Sequence, residues 1–149
     1  MSIAEFCNRD VVCATRDTTI LEAANLMRRH HVGDIIIVDE DADRRWPIGI
    51  VTDRDIVVDV VAAGLDPRLA KLADLMLEPL TILEQHASVA QTVSTMAQKG
   101  VRRVPVVDVQ GALLGIVTLD DLLAHLAPPL ANLGELVAHT RQREMEKRK

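Results

Sequence analysis

Tyrosine is absent from this chain, and phenylalanine and tryptophan occur once each among its 149 residues. With so few rings there is no platform on which the bases of single-stranded nucleic acid could stack, and the core must be built from Val, Leu, Ile, Ala and Met. Positive charge is also in deficit: 17 Lys and Arg face 22 Asp and Glu, and the formal net charge of -5 repels nucleic-acid phosphates. Cys7 and Cys13 fall in no CxxC or His-spaced pattern, so no metal centre is expected. No secretory signal and no long apolar run is recognisable, which leaves no membrane partner and makes the reducing cytoplasm the expected compartment. What is present suits a folded protein. At 48% hydrophobic and 26% charged residues, the chain is long enough for one domain, or for two small ones sharing a core.

An internal repeat organises it. Thr19-Ile-Leu-Glu22-Ala-Ala-Asn-Leu-Met27 returns in type as Ser88-Val-Ala-Gln91-Thr-Val-Ser-Thr-Met96, 69 positions on. At the same offset Val32-Gly-Asp-Ile35-Ile-Ile-Val38-Asp39 matches Val101-Arg-Arg-Val104-Pro-Val-Val107-Asp108. Gly49-Ile-Val-Thr52-Asp-Arg-Asp55 matches Gly115-Ile-Val-Thr118-Leu-Asp-Asp121 at an offset of 66, so the first copy carries three extra residues between Asp39 and Gly49.

Each copy reads alike. Thr19…Glu22 and Ser88…Gln91 are S/T-x-x-E/Q capping boxes. They open helices that run to about His31 and Lys99, with Ile20, Ala23, Ala24 and Met27 on one face and Val89, Val93 and Met96 on its counterpart. Gly100 is placed to end the second of these helices in the left-handed conformation. Short β-branched runs follow, Ile35–Val38 with Ile48–Val51 and Val104–Val107 with Leu113–Val117, continuous enough in apolar character to predict strands covered on both faces. Closing helices are predicted from about Asp53 to Ala63, with Gly64 beyond, and from about Leu119 to Leu126, stopped by Pro128-Pro129. Short extended segments, Val11–Ala14 and Leu80–Leu83, precede the units. The predicted organisation is a first repeat at 8–64, a connector at 65–77, a second repeat at 78–127 and a basic helical tail at 128–149.

This α/β (α+β) pattern, two pseudo-symmetric βαββα units each closing in Gly-hydrophobic-hydrophobic-Thr-x-x-Asp, resembles the pair of cystathionine β-synthase (CBS) domains called a Bateman module, over about residues 8–127. The resemblance implies two repeats packed together, with two clefts between them that take AMP, ADP, ATP, NAD or S-adenosylmethionine derivatives. It implies a homodimer formed through helices, a signal passed to an unknown effector protein, and no catalytic cofactor.

The chemistry of the closing motif agrees with that expectation. A Thr where a strand enters a helix can join the outward N–H groups on a phosphate, and an Asp three residues on can accept both hydroxyls of a ribose. Bonds to such a charged acceptor contribute about 1.5–3 kcal/mol each. The first cleft is therefore expected around Thr52 and Asp55, and the second around Thr118 and Asp121. The same four residues also fit capping boxes with Asp in place of Glu, and the two roles are compatible.

By the resemblance, Arg102-Arg103 serve ligand phosphates in the first cleft. The matching positions in the first repeat, Gly33-Asp34, offer no cation and one carboxylate, so the first cleft is expected to tolerate di- and triphosphates better. Thr81 and Ile82 with Ile50 are expected to hold the base in the first cleft, where Gly33, Asp34 and Arg54 are also counted. Val12 and Cys13 with Ile116 are expected to hold it in the second, where Val32, Val101 and Arg102 are also counted.

Other signals carry less. Asp39-x-Asp41-x-Asp43 matches the opening of a calcium loop, but Arg44 stands where the turn glycine is needed and Ile50 where the bidentate Glu belongs. No phosphate loop, nucleophile elbow or HExxH is present. With no general base beyond the ribose-binding Asp, the expectation is a binding module and not an enzyme. The alternatives are an enzyme acting on a nucleotide in the same cleft and a purely structural dimerisation module.

Overall fold

The protein was analysed as a computed structural model that describes residues 1–76 and 78–147; Leu77 of the expected connector and Arg148-Lys149 of the expected basic tail lie outside the described residues. The chain divides into two units, residues 1–117 and 118–149.

In the first unit, β1 (Cys13–Ala14) precedes α1 (Ile20–His30), β2 (Asp34–Asp41) and β3 (Arg44–Thr52). β1 pairs parallel to β2 and β2 antiparallel to β3. The second copy repeats this with β4 (Leu83–Glu84), α3 (Val89–Lys99), β5 (Arg103–Val107) and β6 (Leu113–Thr118), in the sheet order β4-β5-β6.

Local chemistry sets the helix ends. The hydroxyls of Thr19 and Ser88 accept from the N–H groups of Glu22 and Gln91, whose side chains accept from the capping N–H groups in return. Gly100 closes α3 at φ 65°, and the equivalent His31 closes α1 in the same left-handed region at φ 54°.

β2 alternates its side chains between two cores. Ile35 and Ile37 join Ile20, Ala23 and Met27 of α1, while Ile36 and Val38 face the other way and meet Ile116 of β6. Both faces are thus covered, as the unbroken apolar run predicts. The sheets of the two repeats pack through Ile36, Val38 and Ile116, with Cys13, Ile50 and Leu113 around them.

The three extra residues of the first copy lengthen the β2–β3 hairpin, which turns at Ala42 and Asp43, both with positive φ. At its end Arg44 stacks on Trp46 at 5.3 Å and pairs with Asp108 at 2.5 Å, so the hairpin reaches the β5–β6 turn of the other repeat.

A further connection has no simple sequence signal. A 3₁₀ turn at Ile3–Glu5 lays the N-terminal segment on the second repeat: Ile3 is fully buried and its N–H donates to the Ala87 carbonyl at 2.8 Å, while Asn8 and Ile116 exchange backbone bonds of 2.8 and 2.9 Å. Its counterpart is a 3₁₀ turn at Leu72–Leu75, inside the segment expected to be connector. Leu72 is likewise fully buried, and its N–H donates to Thr18 of the first repeat at 2.9 Å. Each repeat's leading segment therefore lies on the other repeat.

Two glycines make room for these arms. A Cβ on Gly115 would stand 2.5 Å from the Asn8 carbonyl oxygen, and one on Gly49 would stand 3.2 Å from the Met76 side chain.

The closing helix of the first repeat differs from the even α-helix predicted over Asp53–Ala63. α2 (Asp53–Asp55) passes directly into a π-helix, Ile56–Val61, in which the Ala62 N–H bonds to Val57 and the Leu65 N–H to Val60. Five of its six residues are Ile or Val, whose branched side chains are crowded by the tighter α spiral.

In the second unit, the predicted stop at Pro128-Pro129 is not observed: α4 runs from Leu119 to Lys147 through both prolines. Neither proline has an N–H to continue the helical bonding pattern. From residue 127 to 147 the helix is exposed.

Candidate functional site

The GIVT-x-x-Asp motif places a carboxylate at the junction of β3 and α2. Thr52 is the N-cap: its N–H donates to Asp55 Oδ2 at 2.8 Å, and its hydroxyl accepts from the Asp55 N–H at 3.2 Å. The motif is thus a capping box. One carboxylate oxygen, Oδ2, is thereby spent on the cap. Thr118 and Asp121 repeat this geometry at the start of α4 in the second unit, with the Thr118 hydroxyl also 2.8 Å from Asp121 Oδ2.

A cavity of about 800 Å³ opens beside Asp55 in the first unit. Gly49 and Ile50 of β3 form one wall, and the segments Leu75–Met76 and Glu78–Thr81 border it. Lys99, Val101 and Arg103 of the second repeat supply another side, and Asp59 of the π-helix lies a turn beyond Asp55. Residues far apart in sequence thus converge: a carboxylate at a helix start and two more nearby, aliphatic groups, and two cations. Another concavity, of about 810 Å³ along α1, contains none of the expected residues.

Of the ten residues expected in the first cleft, Ile50, Asp55, Thr81 and Arg103 line this cavity. Thr52 acts through its cap, and Gly33 uses its carbonyl to accept from the Asp53 N–H. Arg54 and Arg102 are exposed and do not line it, and Ile82 is 45% exposed. Asp34 pairs with Arg103 through Oδ2 and Nη1.

Of the residues expected in the second cleft, Val101 lines the first instead. Ile116 belongs to the core between the sheets, with Cys13 packed against it, while Val12 and Val32 pack against the core of the first repeat. The Cys13 thiol pKa is raised by burial, against the opposing pull of Arg45, whose guanidinium lies 3.2 Å from its sulfur.

The chemistry of the cleft is more mixed than two adjacent arginines predicted. Asp55, Asp59 and Glu78 face Lys99 and Arg103, and Arg103 already has Asp34 beside it. Lys99, Asp59 and Glu78 escaped notice in the sequence. Lys99 reads there as an ordinary cation in the last turn of a helix, and Glu78 lies in a stretch with no periodicity.

Among the described residues, no group of three or more His, Cys, Asp and Glu could hold a metal ion, and no helix is long and apolar enough to cross a membrane. The chain belongs to the CBS domain family, whose model matches residues 3–61 and again 72–128.

Among relatives, an uncharacterized protein of Methanopyrus kandleri is 40% identical over 123 residues, or 83% of this chain and 61% of that one. The chain therefore spans less than two thirds of that relative. Hypoxic response protein 1 of Mycobacterium tuberculosis is 39% identical over 119 residues, 80% of each chain. The crystal structure of Hypoxic Response Protein I, with two coordinated zinc ions, superposes with a TM-score of 0.72 at 36% identity, covering 84% of this chain and 98% of that one. The cytosolic domain of the Mg2+ channel MgtE, solved in complex with ATP, gives 0.70 at 26%, over 83% and 48%. A CBS domain protein from Pyrobaculum aerophilum, complexed with AMP, has the same fold at 0.73 and 24%, over 86% and 99%.

Proposed function

We propose that this protein is a regulatory module that binds an adenine nucleotide in the cleft of Asp55 and passes the bound state to a partner protein, without catalysing a reaction. The observation that carries the reading is the convergence of Ile50, Asp55, Thr81 and Arg103 on one cavity large enough for a nucleotide. Solved CBS structures holding ATP and AMP support it. In this reading the ribose hydroxyls donate to Asp55 Oδ1, the base lies between Ile50 and Thr81, and the phosphates lie toward Lys99 and Arg103. Self-association is part of the reading, since Val57, Val58 and Val61 leave an apolar patch exposed on the π-helix.

Calorimetry with AMP, ADP, ATP, NAD and S-adenosylmethionine tests it. Asp55→Asn keeps an acceptor for the Thr52 N–H but removes the charged acceptor for ribose. It is expected to weaken the best ligand about ten- to a hundred-fold, the equivalent of about 1.5–3 kcal/mol, with the melting temperature little changed. No binding by the wild type, or equal affinity in the variant, would defeat the assignment.

A further inference from the structure

The pairing of Asp34 with Arg103 joins the first residue of β2 to the first residue of β5, across the two repeats. Both side chains are sheltered, with exposures of 18% for Asp34 and 33% for Arg103, and Arg103 is also part of the cavity wall. Asp34 and Arg103 stand 69 positions apart and so occupy equivalent positions of the two repeats, with opposite charges. The repeat symmetry has thus turned into an ion pair at the cleft.

Such a pair has a consequence for any ligand that carries phosphate. A guanidinium has five N–H donors, of which Asp34 is met on Nη1, but it carries a single positive charge that every neighbouring anion draws on. A phosphate arriving at Arg103 competes with Asp34 for that charge and, on the Nη1 edge, for the donor itself. The Asp34 carboxylate then lies near the incoming negative charge, and the cavity wall adds Asp55, Asp59 and Glu78. A ligand without phosphate meets no such competition.

From this, and resting on the nucleotide reading above, we infer that Asp34 is a specificity-determining residue: an internal counter-anion that holds Arg103 in the cleft and competes with the phosphate of the ligand for it. The wild-type cleft therefore binds phosphate less tightly than its cations alone would allow. The deficit is set by Asp34.

The test compares adenosine, AMP and inorganic pyrophosphate by calorimetry on the wild type, Asp34→Asn, Asp59→Asn, Arg103→Gln and the double variant of Asp34 and Arg103. Asp34→Asn is nearly isosteric, and it is expected to tighten AMP and pyrophosphate about tenfold, or about 1.4 kcal/mol, while leaving adenosine unmoved. Asp59→Asn removes one negative charge from the cavity wall without freeing Arg103, and the gain there is expected to be less than about threefold by general electrostatics. In the Arg103→Gln background the effect of Asp34→Asn on pyrophosphate should vanish. A second reading needs no variant: the Asp34 carboxyl carbon resonance should move as pyrophosphate is added to the wild type.

Unchanged pyrophosphate affinity in Asp34→Asn, an equal gain in Asp59→Asn, a gain that survives loss of Arg103, or a stationary Asp34 resonance would each overturn the inference. If adenosine and AMP bind to no variant while pyrophosphate follows the expected pattern, the nucleotide reading falls and the competition at Arg103 stands.

Discussion

Replacing Gly115 by Ala places a methyl group where the backbone of the N-terminal arm now runs. The new Cβ would lie 2.5 Å from the Asn8 oxygen, whereas carbon and carbonyl oxygen come no closer than about 3.3 Å even in favourable contacts. The carbonyl cannot swing aside cheaply, since it accepts the Ile116 N–H at 2.9 Å and the Asn8 N–H donates back at 2.8 Å. Losing both bonds costs about 1–3 kcal/mol. If the arm leaves altogether, Ile3 gives up its burial for roughly another 1.5–3 kcal/mol. Against this, Ala gains about 0.5–1 kcal/mol over Gly within a strand.

The net expectation for Gly115→Ala, with the arm released, is a loss of about 1.5–5.5 kcal/mol, a drop in melting temperature of roughly 5–20 °C. Gly49→Ala is the internal control. There the methyl meets the flexible Met76 thioether at 3.2 Å and Ile37 Cδ1 at 3.3 Å, which can give by a few tenths of an ångström. Its effect should stay within about 1 kcal/mol of zero. Differential scanning calorimetry of the two variants decides the matter. Equal melting temperatures, or a Gly115→Ala protein as stable as the wild type, would refute the claim that the backbone of the arm is pinned against β6.

Other expectations are simpler. His31 and Gly100 close equivalent helices in the left-handed region, so His31→Gly should stabilise by about 0.5–1 kcal/mol and Gly100→Ala should destabilise by about 1 kcal/mol, both read from urea midpoints. Burial would raise the Asp108 pKa, but the N–H groups of Ala112, Gln110 and Gly111 and the charge of Arg44 more than offset it and hold the carboxyl below the ordinary carboxylate range. A lowered folded pKa contributes stability that is full above the unfolded value and lost as pH falls through the folded one. Urea midpoints of the wild type should therefore fall more steeply than those of Asp108→Asn as pH is lowered from about 5 toward 3; parallel curves would show that Asp108 is not coupled to folding.

What could be read from the residues is what local chemistry specifies. Thr19…Glu22, Ser88…Gln91 and Gly100 announce the ends of α1 and α3, and the 69-residue offset shows that one copy is built like the other. The 3₁₀ turns at Ile3–Glu5 and Leu72–Leu75 were illegible because an apolar turn of three or four residues has no period, and its partners lie on the opposite repeat. The π-helix hides in the sequence for a related reason: Ile56–Val61 satisfies an apolar helical pattern whichever spiral it adopts. Pro128-Pro129 misled in the other direction, since a local veto on hydrogen bonds does not forbid an exposed helix from continuing around it. In the cleft, the offset placed Asp34 opposite Arg103 in role but could not show that they touch.

The crossed arms say something about ancestry. A half-length chain carrying a single copy would own an arm with nowhere of its own to lie, and a groove with nothing to fill it. Two such chains would each complete the other, as partners in an exchange, and neither would be finished alone. Fusing them end to end would then require only a tether in the region of residues 62–71, and it would turn an encounter that depends on concentration into one that does not. After such a fusion the two halves would no longer have to stay alike. Opposite residues such as Asp34 and Arg103 could then arise at what had been a single position.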